Sequence, residues 1–443
     1  MQIIQSGEFD AYWKGCAARR DDEAVESAVK EIIAAVRAEG DEAVRRCAAR
    51  FDKSSPQSFE VSTLLAEQAA GELRRENPQL AAAMELAADH VQRFSLKQKA
   101  QFADFDYEME PGLVTGQRVI PVERAAVYVP AGRFPLFSTV LMGLIPAFCA
   151  GVEEVILASP PLEDGLPDRN ILAAAGIAAA VAGAEAASGR LRIFAIGGAQ
   201  AVAALALGTE SVPRVDVIAG PGNKYVAAAK RILFGEVGID FVAGPTDVLI
   251  IAEGATAQAA ELVAADMIAQ AEHDPDARAR ALVASRELAE QIAAALERQL
   301  AALPAAETAR ASLDAGGLVI VYQSRDEAIR IANTIAAEHL ELQTADAESW
   351  VSGLKNYGSL FVGSLSAEVL GDYSAGINHT LPTSSSARFT GGLSVRHFLK
   401  TVTVLRCTPG EGFDRARHAA ELLARAEGLA GHAASAAIRT GEQ

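Results

Sequence analysis

Four histidines in this sequence stand near other side chains able to do chemistry, and they are the first candidates for a functional site. Gln270 and His273 are three residues apart on a predicted helix, so both should project from one face, and Pro275 is expected to end that helix. The other pairings are Glu338 with His339, Asp372 with Asn378 and His379, and Glu427 with His432. Imidazole nitrogen combined with carboxylate and amide oxygen suits zinc or a similar divalent ion better than magnesium or calcium.

The composition excludes several classes of protein. The 443 residues are half apolar, enough for two or three domains with large cores. The net charge of −17, from 40 Lys and Arg against 57 Asp and Glu, makes nucleic acid and anionic membranes unsuitable partners. Neither a basic, apolar leader nor an apolar run of about 18 residues is present, so a cytoplasmic location is expected. The four cysteines lack a C-x-x-C spacing and are interpreted as small core residues.

The elements that must position these residues alternate between strand and helix. One set of predicted strands covers 125–129, 155–158, 191–196 and 215–219, and glycine-rich turns follow at 132, 197–198 and 220–222. A second set covers 248–252, 281–284, 318–322 and 359–362. Repeated strand, loop and helix predict an α/β protein with two Rossmann-like, doubly wound lobes and a cleft between them. Ligands of such sheets bind beyond the carboxyl ends of the strands, although no G-x-G-x-x-G occurs here.

The segments outside these strands suggest how the chain is divided. Residues 21 to about 100 read as a helical segment, 102–119 as a hairpin, 363–394 as a long irregular stretch, and 413–439 as a helical tail. We group residues 21–110 with 245–382 as the lobe that carries the metal and acid/base residues, and 111–244 as the NAD-binding lobe. Residues 1–20 form an N-terminal segment, and 383–443 a C-terminal tail that is expected to reach a partner subunit.

The pair Glu338 and His339 sets a geometric condition. Neighbours on a regular helix point about 100 degrees apart, so both can serve one site only if the predicted helix 325–337 ends at this pair. The alternating run Leu340-Glu341-Leu342 that follows favours a strand. The sequence therefore predicts a change from helix to strand at the pair.

Taken together, the motifs of this sequence resemble those of the histidinol dehydrogenase family over nearly the whole chain. The matching stretches are Tyr-Val-Pro at 128–130, Gly-Gly-Ala-Gln-Ala at 197–201, Gly-Pro-Gly-Asn at 220–223, Ala-Gly-Pro at 243–245, Gln-Ala-Glu-His at 270–273, Glu-His-Leu at 338–340, Gly-Asp-Tyr with Asn-His and Leu-Pro-Thr between 371 and 383, and Glu-Gly-Leu-Ala-Gly-His at 427–432. Each stretch alone is common, whereas the set is highly specific.

The resemblance implies a role for each matched position. Gln270, His273, Asp372 and His432 would hold one zinc ion, and Glu338 and His339 would be the acid/base pair. Tyr128, Gln200 and Asn223 would contact NAD. The substrate would be bound by Thr246, His379 and Glu427 together with the four metal ligands and His339. The implied reaction is a four-electron oxidation of L-histidinol through the aldehyde to L-histidine, with two NAD used in turn.

The C-terminal tail raises a separate question of geometry. Glu427 and His432 are five residues apart and would point about 140 degrees away from each other on a regular helix, unless Gly428 and Gly431 loosen it. The resemblance implies a homodimer in which this tail completes the partner's site. His432 is therefore expected to enter the pocket of the other subunit.

Three other interpretations of the same residues stay open. A relative within the family could oxidise a different small primary alcohol, such as a sulfonated propanediol, with zinc and NAD. A two-lobed protein could bind a small ligand without catalysis, although such a protein has no need of Glu338 and His339 beside a metal. A zinc hydrolase would use similar ligands but would produce no NADH.

Overall fold

A computed structural model describes residues 1–16, 23–131, 135–183 and 189–440; the predicted turn at Gly132 and the start of the first long helix at Asp21 lie outside them. The strands are β1 Gln2–Gln5, β2 Glu60–Val61, β3 Phe105–Glu110, β4 Leu113–Pro121, β5 Arg124–Tyr128, β6 Glu154–Ser159, β7 Leu191–Ala195, β8 Val217–Ala219, β9 Gly238–Ile239, β10 Asp247–Ala252, β11 Arg278–Val283, β12 Leu318–Val321, β13 His339–Gln343, β14 Ser359–Val362 and β15 Leu399–Cys407.

The α-helices of the described residues fill the intervals between these strands. They are α1 Phe9–Cys16, α2 Glu23–Glu39, α3 Asp41–Phe51, α4 Thr63–Glu76, α5 Pro78–Lys99, α6 Phe137–Ala150, α7 Arg169–Val181, α8 Gly198–Leu207, α9 Lys224–Leu233, α10 Ala257–Ala271, α11 Arg286–Ala302, α12 Glu307–Gly316, α13 Arg325–Ile335, α14 Glu348–Val351, α15 Glu368–Tyr373, α16 Glu411–Ala426 and α17 Ala430–Ala437. Short 3-10 turns occur at Ser6–Glu8, Ser386–Arg388 and Val395–Phe398.

Two six-stranded sheets share one doubly wound topology. The first has the order β2-β7-β6-β5-β8-β9, and the second has the order β1-β12-β11-β10-β13-β14. Numbered from the central strand of each sheet, both contain the order 3-2-1-4-5 that is typical of Rossmann-like folds. The strands pair in parallel, except that β2 is antiparallel to β7 at one edge. The predicted pair of Rossmann-like lobes is confirmed.

Apolar helices cover both faces of each sheet, as a parallel sheet requires. The first sheet is packed on one face by α4 to α7 and on the other by α2, α3, α8 and α9. The second sheet is packed on one face by α10 to α12 and on the other by α1, α13 and α14. Buried polar side chains are present beside these apolar cores. In the second lobe they include Asp247, Glu338, His339, Glu341 and Glu368.

The packing of the N-terminal third differs from the grouping predicted from the sequence. That grouping placed residues 21–110 with the metal-bearing lobe, whereas α2 to α5 bury their apolar faces against the first sheet. Residues 1–16 instead belong to the second lobe, because β1 pairs with β12 and Phe9 lies in its core. Helix periodicity identifies the buried face of a helix but not the sheet that it covers, so the sequence did not settle this point.

The C-terminal part of the chain forms a separate small layer. Strand β15 pairs with β4, which also pairs with β3 in the predicted hairpin, to give a three-stranded antiparallel sheet. Helices α16 and α17 follow this sheet and pack on each other. The helical conformation is interrupted between them at Gly428, whose φ is +77°. The predicted loosening of the tail near Gly428 is thus present. The stretch 363–394, predicted as irregular, contains helix α15.

Two other expectations can be compared with the structure. Among the described helices, none combines the length and the apolar character needed to cross a bilayer. Cys47, Cys149 and Cys407 are free thiols; Cys149 is buried and Cys47 half-buried, but Cys407 is exposed and so is not the core residue predicted.

Candidate active site

A cavity of about 160 Å³ lies between the two lobes, and six of the twelve predicted site residues line it. Its walls include Thr246, His273, Glu338, His339, Asp372 and His379. The first lobe contributes Pro221 and the start of α6, and these follow the carboxyl ends of β8 and β5. The second lobe contributes residues at the amino ends of its strands, because Thr246 precedes β10 and His339 begins β13. The carboxyl edge of one sheet thus faces the amino edge of the other.

The predicted change from helix to strand at the acid/base pair is present. Helix α13 ends at Ile335, and Ala336 takes a left-handed conformation with φ of +52°, which turns the chain sharply. Glu338 then lies just before β13, and His339 is its first residue. Because the pair is outside the helix, the 100-degree separation no longer applies, and both side chains line one cavity.

Glu338 is held in place by groups at the start of β10. Its Oε2 atom accepts hydrogen bonds from the Thr246 hydroxyl and from the Asp247 backbone N–H, the latter at 3.1 Å. The side chain is only 6 % exposed. Burial, assisted by the nearby Asp247 charge, raises the pKa of Glu338 to about 7, although the two hydrogen bonds and His339 oppose the rise. A carboxyl group with a pKa near neutrality can both take and release a proton at physiological pH.

His339 lies among three carboxyl groups. Its Nε2 atom is 3.5 Å from Asp372 Oδ1, and its Nδ1 atom is 3.8 Å from Glu368 Oε2 and 3.9 Å from Glu338 Oε2. Burial alone would lower the pKa of His339, but these carboxyl groups raise it well above its ordinary value. Neither ring nitrogen has a hydrogen-bond partner among the described residues. Both ring nitrogens therefore have an unused hydrogen-bonding position.

The predicted placement of Gln270 and His273 on one helix is wrong for His273. Helix α10 ends at Ala271 with Glu272 as its C-cap, so His273 lies in the bend that follows. Gln270 is 1 % exposed, and its Nε2 donates to the Thr246 hydroxyl at 2.8 Å. Its Oε1 atom is buried without a hydrogen-bond partner among the described residues. Such an acceptor lowers the stability of the fold unless a ligand binds to it.

His379 is anchored on both sides. Its Nδ1 lies 2.9 Å from the Asp372 carbonyl oxygen, and its Nε2 lies 3.1 Å from the Thr139 hydroxyl at the start of α6. Burial lowers the pKa of His379, so the ring is neutral at physiological pH. His379 therefore connects the lobe that carries Asp372 with the lobe that carries Thr139.

The donors available in the cavity fit a zinc ion that lacks one ligand. Asp372 and His273 line the cavity, and Gln270 supplies the unpartnered amide oxygen. Within the described part of one chain, no three His, Cys, Asp or Glu side chains gather as a metal site. Zinc prefers four ligands of this mixed nitrogen and oxygen type. The chemistry of the set is suitable, and it leaves the fourth position of a zinc ion open to substrate, water or a further protein donor.

The two predicted site residues of the C-terminal tail do not line this cavity in their own chain. Glu427 follows α16 as its C-cap, and His432 lies on α17, and both side chains are exposed. Neither is among the residues that line the cavity.

The three residues predicted to contact NAD lie at the carboxyl edge of the first sheet. Tyr128 ends β5, and its hydroxyl accepts a hydrogen bond from the Gly198 N–H at 3.0 Å; burial raises the pKa of this hydroxyl to about 12. Gln200 lies in the first turn of α8, and Asn223 caps α9 by accepting from the N–H groups of the next turn at 3.0 and 3.2 Å. All three therefore lie at the sheet edge where ligands of such folds bind.

Several residues at the site were not predicted from the sequence. Thr139 and Glu368 contact His379 and His339, respectively, and Asp52 accepts a hydrogen bond from Gln200 Nε2 at 3.2 Å. Burial raises the pKa of Asp52 to about 6. Only Glu368 had a signal, because it stands four residues before Asp372 and so lies on the same helical face. The contacts of Thr139 and Asp52 arise from tertiary packing alone.

The fold and the cavity define a two-lobed α/β enzyme of the dehydrogenase class. The family model of histidinol dehydrogenase matches residues 17–440. Histidinol dehydrogenase from Thermus thermophilus is 46 % identical over 418 residues, which cover 94 % of this chain and 95 % of that protein. The Pseudomonas aeruginosa histidinol dehydrogenase is 43 % identical over 94 % of this chain and 91 % of its own. This chain belongs to the histidinol dehydrogenase family.

A solved structure agrees with this assignment. The crystal structure of histidinol dehydrogenase from Elizabethkingia anophelis superposes with a TM-score of 0.87 at 33 % identity. The match covers 99 % of this chain and 96 % of the other. The two-lobed architecture is therefore that of the family.

Proposed function

We propose that this enzyme oxidises L-histidinol to L-histidine through L-histidinaldehyde, in histidine biosynthesis. Each substrate molecule would use two molecules of NAD in turn, and each subunit would hold one zinc ion. The composition of the cavity supports this proposal, because the Glu338 and His339 pair lines the same cavity as His273 and Asp372. Membership of the histidinol dehydrogenase family supports the choice of substrate. An NAD-consuming biosynthetic reaction is also consistent with the cytoplasmic location expected from the sequence.

The metal would be held by Gln270, His273 and Asp372 of one chain and by His432 of a second copy. When bound, zinc supplies a positively charged anchor for the amine and imidazole nitrogens of histidinol. Zinc does not change its oxidation state, so the electrons must leave the substrate as hydride to NAD. The substrate would be oriented by Thr246, His379 and Glu427 in addition to these groups.

The two oxidations make different demands on the acid/base pair. In the first, the hydroxyl proton must leave as hydride departs, and His339, which lines the cavity, would accept it through Nε2 from its uncharged form. In the second, water must add to the aldehyde before another hydride leaves. Glu338 is placed to take the proton from that water, since its pKa of about 7 allows it to be ionised near neutral pH.

NAD would bind at the carboxyl edge of the first sheet, where Tyr128, Gln200 and Asn223 lie. The turn at Gly220 comes so close to the Tyr128 carbonyl oxygen that a Cβ atom would be 2.2 Å from it. This close approach brings the Asn223 turn beside Tyr128. Pro221 of the same turn lines the cavity, so a cofactor on this edge would reach the substrate.

We also propose a homodimer in which the tail of each chain completes the partner's site. The tail and the adjoining three-stranded sheet expose large apolar side chains, including Phe105, Tyr107 and Met109, which alternate along β3 and are 53, 60 and 56 % exposed. Further exposed apolar side chains are Leu405, Leu422, Leu423 and Ile438. Apolar clusters of this kind on a strand and an adjacent helix pair favour an interface.

Removal of the metal is expected to abolish turnover. A chelator should reduce the rate of NADH formation from L-histidinol to background, and added zinc should restore it, because the buried Gln270 Oε1 has no hydrogen-bond partner among the described residues and would be a ligand of the metal. The four apolar cores do not involve the metal site, so circular dichroism should show that the stripped protein stays folded. Full activity of a verified metal-free sample would contradict the assignment of these ligands.

A further inference from the structure

Behind the cavity, the central strand β13 presents a polar face inside the second lobe. His339, Glu341 and Gln343 alternate with Leu340 and Leu342, which lie in the apolar core on the other face. Helices α10 and α15 cover the polar face and each contributes residues four apart. His339 and Asp372 line the cavity, and Gln270 is hydrogen-bonded to Thr246, which also lines it. The groups one step further along the strand and the two helices, which we call the inner carboxyl layer, are Asp266, Glu341 and Glu368, and none of them lines the cavity.

The inner carboxyl layer is tightly connected. Glu341 Oε1 accepts a hydrogen bond from the Glu368 backbone N–H at 2.8 Å. Gln343 Nε2 bridges Glu341 and Asp266 with hydrogen bonds of 2.8 and 2.7 Å. Burial and the neighbouring Asp266 raise the pKa of Glu341 to about 8, so Glu341 is largely protonated at neutral pH. Buried carboxyl groups are costly, and apolar residues at these positions would be cheaper for stability alone.

Glu368 is the member of this layer that contacts the acid/base pair. It is 1 % exposed and does not line the cavity, so it cannot touch the substrate. Its Oε2 atom has no hydrogen-bond partner among the described residues, although His339 Nδ1 is 3.8 Å away. A buried acceptor without a donor and a buried ring nitrogen without a partner face each other.

Glu338 is the other carboxyl group near the same nitrogen, and it is less available. Its Oε2 is 3.9 Å from His339 Nδ1 but already accepts from the Thr246 hydroxyl and the Asp247 N–H. The opposite ring nitrogen, Nε2, lies 3.5 Å from Asp372 Oδ1, and Asp372 lines the cavity. A proton on Nδ1 therefore has Glu368 as its natural acceptor. A shift of roughly 1 Å would close this hydrogen bond, as is common when a ligand completes an active site.

We propose that Glu368 is a positioning residue that accepts the Nδ1–H of His339 and so fixes the ring tautomer with Nε2 free toward the substrate. The proposal rests on the proposed role of His339 as a base. An imidazole whose proton lies on the cavity-facing nitrogen cannot accept the hydroxyl proton, so the wrong tautomer is inactive. Glu368 thus acts on the rate of oxidation through His339 and not on substrate binding.

The first test replaces Glu368 by residues that differ in acceptor capacity. Glu368→Met removes the acceptor at similar volume, whereas Glu368→Gln keeps an amide oxygen that can accept. We expect kcat for L-histidinol to fall roughly 10- to 100-fold in Glu368→Met with KM nearly unchanged, and less in Glu368→Gln. Glu341→Gln is the matched control, because it neutralises a group that is already largely protonated, and it should keep at least about half of the activity.

The second test does not depend on turnover. Nitrogen-15 chemical shifts of histidine-labelled, metal-free protein report the tautomer of His339 at alkaline pH, where the ring is uncharged. We expect the Nδ1–H form in the wild type, in Glu341→Gln and in Glu368→Gln, and a mixture or the opposite form in Glu368→Met. An unchanged tautomer in folded Glu368→Met would overturn the proposal, as would a drop of equal size in Glu341→Gln.

The two tests separate this proposal from the proposed function. If Glu368→Met does not fold, Glu368→Leu, which also lacks an acceptor, takes its place in the comparison with Glu341→Gln. Equal kcat values in folded Glu368→Leu and Glu341→Gln would overturn the positioning role. If the wild type fails to oxidise L-histidinol, the proposed function is wrong, while the tautomer measurement still decides whether Glu368 orients His339.

Discussion

An equal mixture of His339→Ala and His432→Ala chains, dissociated and reassembled, is expected to recover about a quarter of wild-type activity although each variant is inactive alone. Random pairing makes half of the dimers mixed, and each mixed dimer has one intact pocket. That pocket combines His339 of one chain with the partner's tail. The structure motivates this expectation because His432 is exposed on α17 and does not line the cavity of its own chain.

The control for this experiment is a histidine on the neighbouring helix. His418 is also exposed, on α16, and has no proposed role in the site. His418→Ala should be fully active alone and should remain active after reassembly. A mixture of the two inactive variants that stays inactive, while reassembled wild type recovers its activity, would show that His432 serves its own chain. The other three zinc ligands would not be affected by that result.

Glu338→Gln is expected to separate the two oxidations. The amide can still accept the hydrogen bonds from Thr246 and Asp247, so the local structure should be kept. It cannot take a proton from water, and a lost general base costs on the order of 10²- to 10⁴-fold in rate. We therefore expect conversion of supplied L-histidinaldehyde to L-histidine to be reduced by that amount, while aldehyde formation from L-histidinol is reduced much less.

The pH dependence gives the same assignment a second test. The pKa of Glu338 is raised to about 7, and a base acts only in its ionised form. The rate of aldehyde oxidation in the wild type should therefore rise as the pH increases through about 7 and level off above it. Glu338→Gln should lose this rise. Equal reduction of both oxidations in Glu338→Gln, or an unchanged pH profile, would count against Glu338 as the base that activates water.

Most of the local structure followed from the pattern of the sequence. Strand β14 has the predicted limits, and β10 to β12 differ from them by a few residues at most. The end of α13 before Glu338 was also predictable, since the alternating run after His339 cannot continue a helical face. Short-range periodicity controls these features, so the sequence carried enough information about them.

The features that were not predicted depend on tertiary contacts. Helix α10 stops at Ala271, although Pro275 was expected to end it later, so His273 lies beyond its end. The site of the second lobe lies at the amino ends of its strands, contrary to the general expectation for such sheets, because the two lobes face each other there. The contact between His339 and Glu368 joins a strand and a helix that are 29 residues apart in sequence. No local pattern encodes that distance.

The most direct test of the proposed function is the number of NADH molecules formed for each L-histidinol consumed by the zinc-loaded enzyme. We expect two NADH per L-histidinol, with L-histidine as the product and no accumulation of free aldehyde. Parallel assays with other small primary alcohols, including a sulfonated propanediol, should give little or no NADH. One NADH per L-histidinol with release of the aldehyde, or no reaction with L-histidinol beside rapid oxidation of another alcohol, would contradict the proposed oxidation of L-histidinol to L-histidine.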